Sequence, residues 1–407
     1  MPVTQADLVL KRSKSVSDDP NTNGGAISNT SVGTSIFPDV SGTERTSGIT
    51  RWRKMFMKNE AGTGVAPEKL KDPNLNLLET KIYLQNTSAG GDHFLMKKAT
   101  AKNNFQADEF DTDWYGTGDL AEDVLADVLT LDVDCEVSGV LDGDVFQNGG
   151  IVFITDGTNK EYLQLDAVTG VSWVDNLATL YFPTTALQHN YTAVLSETAD
   201  IFTSTSIGYS LAVMEVNAYA NKRIKIVSGT GAGQKRRILS NTETTFTVEY
   251  PWLTGQEPDI TSVYEVYLTQ VCMCIDLEDL GCDYTTPTIT GAGTFTPGIT
   301  LYPIGCIDAD WEMLFSDSSN YTLTAQTTET ISFGAFNTAN DLKPTNGGSY
   351  YFSIPHTAFG TDFTNGSSIT FSTISSSGAV WVKEIVPPAT SAHLANSIDV
   401  GASGDTI

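Results

Sequence analysis

The sequence predicts a mainly β protein, made of several antiparallel β-sandwich or barrel-like domains with an extended N-terminal arm. One basis for this is composition. Only 18% of the 407 residues are charged, below the ~25% typical of soluble domains, and Gly, Thr, Ser and Asn take their place. Helices favour Ala, Leu, Glu, Lys and Arg, whereas this mixture suits short strands and turns. With 40% hydrophobic and 10% aromatic residues, the chain can still form a core.

The second basis is the regular recurrence of short apolar runs between residues 283 and 390. Turn sequences such as Asn346-Gly347-Gly348 and Asn365-Gly366 separate these runs. This spacing is typical of a β-sandwich or small barrel, so we predict a C-terminal β-sandwich over 283–390 and a mobile tail over 391–407. The six predicted strands are Trp311–Phe315, Tyr321–Thr324, Thr330–Phe333, Tyr350–Ile354, Ser368–Phe371 and Val380–Lys383.

Residues 1–49 are predicted to form the extended arm. The polar stretch 13–35 lacks the apolar residues needed to bury itself, so it would be flexible or ordered only on a neighbouring subunit. The run Arg51–Lys58 alternates charged and apolar residues, which predicts a strand with one wet and one dry face. Residues 50–145 then form a small β domain with an acidic loop and a short helix over Leu120–Leu131.

Residues 146–282 are predicted to form a β domain of two hairpin modules. The segments 151–183 and 224–251 each read as strand, Gly-Thr turn, strand, short turn, strand and proline. Their offset of 73 residues is weakly repetitive and favours repeated three-stranded units.

Charge is unevenly distributed along the chain. The net charge is −26, yet residues 1–103 hold 14 Lys/Arg against 10 Asp/Glu, and residues 104–145 hold 13 carboxylates with no Lys or Arg. An acidic protein repels nucleic acid and anionic membranes, so neither is an expected partner. The basic N-terminal part could pack on an acidic neighbouring subunit; alternatively, the acidic part only keeps the protein soluble.

A second basic group lies in the later module, at Lys222, Arg223, Lys225 and 235–237. An interface with an acidic neighbour, such as the 104–145 stretch of another copy, and a solvated hairpin face both fit it. The predicted interface residues are Arg51, Arg53, Lys54, Lys235, Arg236 and Arg237.

No catalytic or cofactor site is predicted. The glycine-rich run Gly229–Arg236 resembles a phosphate loop, but the residues after it read as strand, turn, strand, whereas a phosphate loop opens a helix. It is predicted to be a hairpin turn. The four histidines lie far apart, without G-x-S-x-G or H-E-x-x-H motifs. A glycosidase carboxylate pair is defined in space and cannot be read from sequence, so polysaccharide depolymerase activity stays open.

No metal site is predicted either. An odd number of cysteines without a secretion signal favours buried free thiols, with a late disulfide or a metal site as alternatives. The acidic group Asp132, Asp134, Asp142 and Asp144 lacks the glycine and glutamate of an EF-hand loop. We find neither a signal peptide nor a run of 18 apolar residues, so we expect synthesis and assembly in a cytoplasm. The five cysteines are Cys135, Cys272, Cys274, Cys282 and Cys306.

Two parts of the chain resemble structural proteins of tailed bacteriophages, including Mu-like phages. The N-terminal part comprises Asp19–Gly25, Ile36–Val40, Glu44-Arg45, Gly48 and Arg51–Lys58. The C-terminal part comprises Tyr351–Pro355, Phe359-Gly360, Phe363, Gly366, Ile369–Phe371 and Val380–Pro387. The run Gly229–Gln234, with its Arg-Ile and Thr-Phe-Thr-Val, is similar to hairpins of phage tail proteins.

The resemblance implies a non-enzymatic virion protein that assembles in the host cytoplasm. We expect a homo-oligomeric ring or stack in the tail, neck or baseplate, in contact with other virion proteins. Arms and strand edges would join the subunits by main-chain pairing. A capsid decoration protein, and a receptor-binding or glycan-degrading tail protein, are the alternatives.

Overall fold

The computed structural model describes residues 8–32, 36–60, 77–86, 92–135, 145–198, 202–203, 206–208, 214–280, 282–302, 305–327, 330–346, 349–388 and 399–406. Within them the fold is mainly β, as predicted, and every strand pair is antiparallel. The helices in these ranges are α1 (Gly42–Ser47) and two 3-10 turns, Gln106–Asp108 and His356–Ala358. No helix in the described ranges is long and apolar enough to cross a membrane.

The strands of the first half are β1 Leu8–Ser15, β2 Gly24–Ser31, β3 Ile49–Asn59, β4 Leu77–Asn86, β5 His93–Lys98, β6 Thr117–Leu120, β7 Thr130–Asp134, β8 Ile151–Thr155, β9 Lys160–Gln164, β10 Val171–Val174, β11 Leu177–Tyr181, β12 Val194–Thr198, β13 Phe202–Thr203 and β14 Ser206–Gly208. Those of the second half are β15 Arg223–Ser228, β16 Lys235–Asn241, β17 Thr245–Val248, β18 Val263–Tyr267, β19 Gln270–Leu280, β20 Asp283–Tyr284, β21 Thr288–Thr290, β22 Thr300–Leu301, β23 Ala309–Phe315, β24 Asn320–Gln326, β25 Thr330–Asn337, β26 Thr345–Asn346, β27 Ser349–Tyr350, β28 Phe352–Ser353, β29 Ser368–Ile374, β30 Ser377–Val386 and β31 Asp399–Thr406.

A five-stranded sheet, ordered β2-β1-β3-β30-β5, joins the two ends of the chain. Its centre is a ten-residue ladder in which β3 pairs with β30, from Ile49 opposite Val386 to Lys58 opposite Ser377. β30 therefore does not belong to the sheet of the predicted 283–390 sandwich, because its apolar and charged residues find their partners on β3 and β5.

The N-terminal segment is not an extended arm over residues 8–31, which is a correction to the prediction for 1–49. β1 pairs with both β2 and β3. The polar residues can be buried because the ladder and side-chain hydrogen bonds satisfy them. Asn23 is fully buried and its amide donates to the main-chain oxygen of Trp52 (2.8 Å), while Ile27 joins the core.

A nine-stranded sheet runs β10-β11-β7-β6-β19-β4-β31, with β8 attached to β19 and β9 attached to β8. The long strand β19 makes it possible, because its first half pairs with β6 and β8 and its second half with β4. β31 pairs with β4, so residues 399–406 are an ordered strand and the prediction of a mobile tail is wrong for them. Residues 391–398 lie outside the described residues.

The helix predicted over Leu120–Leu131 is absent from this described segment. β6 ends at Leu120 and β7 begins at Thr130. Between them the backbone bonds to another segment, with Val124 bridging Tyr191 and the Asp127 amide donating to Leu187. Since each amide has one hydrogen to donate, these cross-chain bonds replace the i→i−4 bonds of a helix.

The two predicted hairpin modules do form strands, but they lie in different sheets. The first contributes β8 to β11, four strands rather than three, to the nine-stranded sheet. The second contributes β15, β16 and β17 to a seven-stranded sheet, ordered β12-β18-β15-β16-β17-β14-β13. This sheet has its own core, which includes Ile224, Phe246 and Trp252. The two modules therefore do not repeat one another within a common sheet.

A six-stranded sheet runs β20-β29-β23-β24-β25, with β21 attached to β29. All six runs predicted as strands in this part of the chain are confirmed as strands, with Tyr350–Ile354 split between β27 and β28. β23 alternates buried and exposed residues along its whole length, with Trp311, Met313 and Phe315 inside. One face of this sheet is thus core and the other is open, as period-two patterning predicts.

Candidate assembly interface

The first predicted interface group, Arg51, Arg53 and Lys54, lies inside the molecule on β3. All three side chains are buried. Arg51 forms ion pairs with Glu44 of α1 and with Glu384 of β30, the latter at 3.2 Å. Arg53 pairs with Asp18 at 2.6 Å and donates to the main-chain oxygen of Ser17 (2.9 Å). These contacts belong to one chain, and the predicted intermolecular role of the three residues stays untested.

Glu44, the partner of Arg51 on α1, is held in place by the capping box at the start of that helix. The Ser41 hydroxyl accepts from the Glu44 amide, and a Glu44 carboxylate oxygen accepts from the Ser41 amide (2.7 Å). The second Glu44 oxygen accepts from Arg51. The hydrogen bonds from Ser41, with that from Arg51, lower the pKa of Glu44 to about 2. The short helix thereby places a fixed negative charge against β3.

Lys54 lies in a buried cage made of oxygens and aromatic rings. Its ammonium donates to the main-chain oxygens of Ala101 (3.0 Å) and Asn104 (2.9 Å). The rings of Phe56 and Trp381 lie 5.6 and 5.4 Å from the nitrogen. Burial lowers the pKa of Lys54 to about 7, although nearby carboxylates oppose this.

The same face of the five-stranded sheet alternates lysines with tryptophans. Trp52 lies opposite Lys383, and Lys54 lies opposite Trp381. Trp114 covers this face, at 4.7 Å from the ring centre of Trp52, with the Lys383 nitrogen 4.5 Å from its own ring centre. Cation–π contacts between desolvated partners stabilise such an arrangement.

The segment 99–114 supplies the negative charges that cover this face. Glu109 pairs with Lys97 at 3.1 Å and accepts from the Trp381 indole (2.9 Å), and Asp111 pairs with Lys383. Burial alone would raise the pKa of Glu109, but hydrogen bonds from Asn104, Thr100 and Lys97 lower it. The prediction of one wet and one dry face for 51–58 is therefore wrong, because both faces of β3 are covered.

The second predicted interface group lies on β16. Arg236 is buried, 5.0 Å from the ring centre of Trp252, and donates to the main-chain oxygen of Pro251 (2.8 Å). Burial lowers its pKa to about 10. Arg237 pairs with Glu249 at 2.6 Å and with Asp399 of β31 at 3.1 Å. Lys235 is half-buried at the start of the strand.

The basic group of this module does contact the acidic 104–145 stretch, but within one chain. Arg223 on β15 is buried and pairs with the buried carboxylate of Asp119 on β6. The neighbouring Lys222 donates to the main-chain oxygens of Asp156 and Leu268. These contacts, with Arg237 to Asp399, fasten the seven-stranded sheet to the nine-stranded sheet. Charge complementarity that the sequence suggests between subunits is already used internally.

The described surface is left strongly acidic, because most cations are partly or fully buried. The exposed cations among the described residues are Lys14, Lys98, Lys160 and Lys343. The exposed carboxylates there are Asp18, Asp19, Asp39, Glu79, Asp108, Asp111, Asp113, Glu122, Asp123, Asp127, Asp175, Glu215, Glu243, Asp276, Asp283, Asp310, Glu312, Asp317, Asp341 and Asp362. Over most of the described surface, two copies of the chain therefore repel one another.

The glycine-rich run Gly229–Arg236 is a hairpin loop, as predicted. It joins the antiparallel strands β15 and β16, and no helix follows it. Only glycine fits at position 229, because its φ is 79° and a Cβ there would lie 2.1 Å from the main-chain oxygen of Thr261. The loop therefore packs on its own chain, without the helix terminus that a phosphate site requires.

The cysteines are free thiols, and the described residues contain no group of three His, Cys, Asp or Glu placed to hold a metal. The Cys282 and Cys306 thiols are hydrogen-bonded to each other. That bond lowers the pKa of Cys282, whereas burial raises that of Cys272 to about 12. Asp132 accepts from the Thr179 hydroxyl (2.5 Å), and Asp142 and Asp144 lie outside the described residues.

The open face of the six-stranded sheet holds a groove of about 670 Å³. Hydroxyl and amide side chains line most of it, together with the carboxylates Asp310 and Glu312 on β23. The lining residues are Thr285, Thr286, Thr288, Asp310, Trp311, Glu312, Thr324, Gln326, Thr330, Thr370, Phe371 and Ser372. Sequence reasoning missed this groove, because its residues come from five strands and from the segment between β20 and β21, which the topology brings together.

The edge of the same sheet is β25, whose position the sequence also did not reveal. β25 pairs with β24 on one side, and no other described strand pairs with it. Its eight residues, Thr330–Asn337, carry no ionisable side chain. Ile331, Phe333 and Phe336 are half-buried against the core, while the residues between them are exposed.

No family model, curated protein or solved structure matches the chain.

Proposed function

We propose that this chain is a non-enzymatic structural subunit of a tailed bacteriophage particle, assembling as a ring or stack in the tail, neck or baseplate. One observation carries the proposal. The stretches that resemble phage structural proteins, Arg51–Lys58 and Val380–Pro387, are far apart in sequence, yet they form the central ladder β3–β30. These two stretches of the resemblance therefore belong to one structural unit.

Other parts of the resemblance lie around the same ladder. In the Asp19–Gly25 stretch, Asn23 bonds to Trp52, and Phe37 of the Ile36–Val40 stretch packs 5.6 Å from Arg53. Gly48 has a φ of 78°, and a Cβ there would lie 3.0 Å from Pro388. The β3–β30 ladder and the contacts around it thus form a self-supporting unit, as we would expect of a building unit that recurs in virion proteins.

Particle composition tests the proposal. Particles purified from cells in which this gene is expressed during infection are analysed by mass spectrometry and electron microscopy. We expect the chain in the particle, as about five to twelve copies per ring at the tail, neck or baseplate. Hundreds of copies on the head would indicate the decoration role instead. Complete particles without the chain would overturn the proposal.

Receptor or glycan binding is the second candidate, and the groove on the six-stranded sheet favours it. Hydroxyl, amide and carboxylate groups bind the hydroxyls of sugars. Asp310→Asn and Glu312→Gln would then weaken retention of the protein on host-surface polysaccharide, whereas the matched change Asp341→Asn, outside the groove, would not. Equal retention of all variants would exclude this groove as the binding site.

A further inference from the structure

We propose that two copies of the chain join through β25, each adding its edge strand antiparallel to the edge strand of the other. The inference deepens the proposed function by naming one contact between subunits, and it rests on that function only for the expectation of self-association. An unpaired strand edge presents main-chain donors and acceptors that a further strand can satisfy.

The absence of charge makes the β25 edge a better site for contact between two copies than most of the described surface. Each copy has a net charge of −26 and its exposed described carboxylates far outnumber its exposed described cations, so close approach elsewhere brings like charges together. β25 has no ionisable residue. Main-chain pairing there places no carboxylate of the strand in a desolvated contact.

The other terminal strands are less suited to pairing. β2 is also uncharged, but Gly24 bridges Phe105 and Gly25 donates to Asn104. β5 is covered through the bridge between Met96 and Tyr115. β12 and β31 contain carboxylates, and β10 has only four residues followed by Asp175. β25 is the long uncharged edge that no described segment covers.

The sequence of β25 is self-complementary when it is read in opposite directions. A bulge at Phe333 and Gly334, where Leu323 faces Gly334 and Thr324 faces Ser332, divides the strand into two three-residue runs. With a two-fold axis between Phe333 and Gly334, Ile331 of one copy lies opposite Phe336 of the other. Both are half-buried and core-facing, so pairing would remove further apolar surface from water.

The exposed positions match in the same register. Ser332 lies opposite Ala335 and Thr330 lies opposite Asn337, and all four are exposed on the open face of the sheet. Small and polar residues thus meet on one face while apolar residues meet on the other. Contacts of this kind are isologous, because the same surface serves both copies.

A charge exchange tests this register. In the full chain, Ser332→Lys with Ala335→Lys places lysines opposite each other at two positions, and Ser332→Glu with Ala335→Glu does the same with carboxylates. Sedimentation velocity over a concentration series should show the unmodified chain associating and each variant weakened about 100-fold, since opposed like charges are costly. An equimolar mixture of the two variants should recover association to within about tenfold, because every pair is then Lys–Glu.

The matched control is Thr322→Lys with Gln326→Lys, which adds the same charge to the same face but on β24, a strand paired on both sides. Its association should equal or exceed that of the unmodified chain. A monomeric unmodified chain, unchanged association of the Ser332/Ala335 variants, or a mixture that stays monomeric would each overturn the proposal. Particle composition, measured separately, decides the virion role whichever way this experiment turns out.

Discussion

The five-stranded and six-stranded sheets both contain strands in which polar and apolar residues alternate, but they differ in whether the polar residues are buried or exposed. In the six-stranded sheet, β23 alternates buried and exposed residues, and Asp310 and Glu312 meet water. In the five-stranded sheet, β3 and β30 are buried on both faces, and the charged residues among them are paired inside. Period-two patterning therefore identifies a strand, but it does not show what covers the polar residues of that strand.

Removal of the N-terminal strands is expected to have the largest effect on the five-stranded sheet. Deleting residues 1–31 removes β1 and β2, leaves one edge of β3 unpaired and takes the buried Ile27 out of the core. We expect loss of cooperative thermal unfolding. A truncated chain that unfolds with a normal enthalpy would show that these strands are dispensable.

Breaking a buried ion pair should have the next largest effect. Arg51 and Glu384 are each 3% exposed in their side chains. Arg51→Met leaves the carboxylate of Glu384 without this partner, and we expect a loss of about 3–5 kcal/mol in the free energy of unfolding. Urea denaturation measures it. The double variant Arg51→Met with Glu384→Leu should recover most of the loss, because replacing both charges by apolar groups is often neutral.

The buried lysine should make the stability of the five-stranded sheet depend on pH. The pKa of Lys54 is lowered from 10.5 to about 7, so the unfolded chain binds more protons between these values. Stability contributed by Lys54 therefore rises with pH across this window. Relative to Lys54→Met, the unmodified chain should gain about 2 kcal/mol between pH 7 and pH 9. A difference that is flat or falls with pH would contradict the lowered pKa.

A substitution on the open sheet should have the smallest effect. Glu312→Ala changes an exposed residue of β23. We expect a change within about 0.5 kcal/mol in the free energy of unfolding. A loss comparable to that of Arg51→Met would show that the open face is covered after all.

Much of the fold could be predicted from local signals. Four strands of the six-stranded sheet, β23, β24, β25 and β29, and the hairpin at Gly229 follow from alternation and turn residues. The helix over 120–131 could not be excluded, since its competitor is a set of main-chain bonds to residues 187–191 that no local pattern reports. That the N-terminal residues form ordered strands could not be predicted either. These strands pair with β3, and the other neighbour of β3 is β30 from the far end of the chain.

The candidate site was less accessible from sequence. The sequence shows two clusters of cations, one at Arg51, Arg53 and Lys54 and one at 235–237. It does not show that their partners lie in the same chain. Those partners are Glu384, Asp18, Asn104 and Glu249. The position of β25 at the edge of its sheet depends on the order of the strands, which long-range pairing decides. The composition of β25 can be read from the sequence, but its edge position cannot.

The ladder between β3 and β30 has a consequence for synthesis. Lys58 leaves the ribosome long before its partner Ser377 exists. At translation rates of 5–20 residues per second, the first ladder strand waits on the order of 15–60 s for the second. During that delay β3 can pair with β1, but its other edge has no partner strand. Folding of the nascent chain should therefore depend on chaperones, and ribosome stalling late in the message should yield insoluble product.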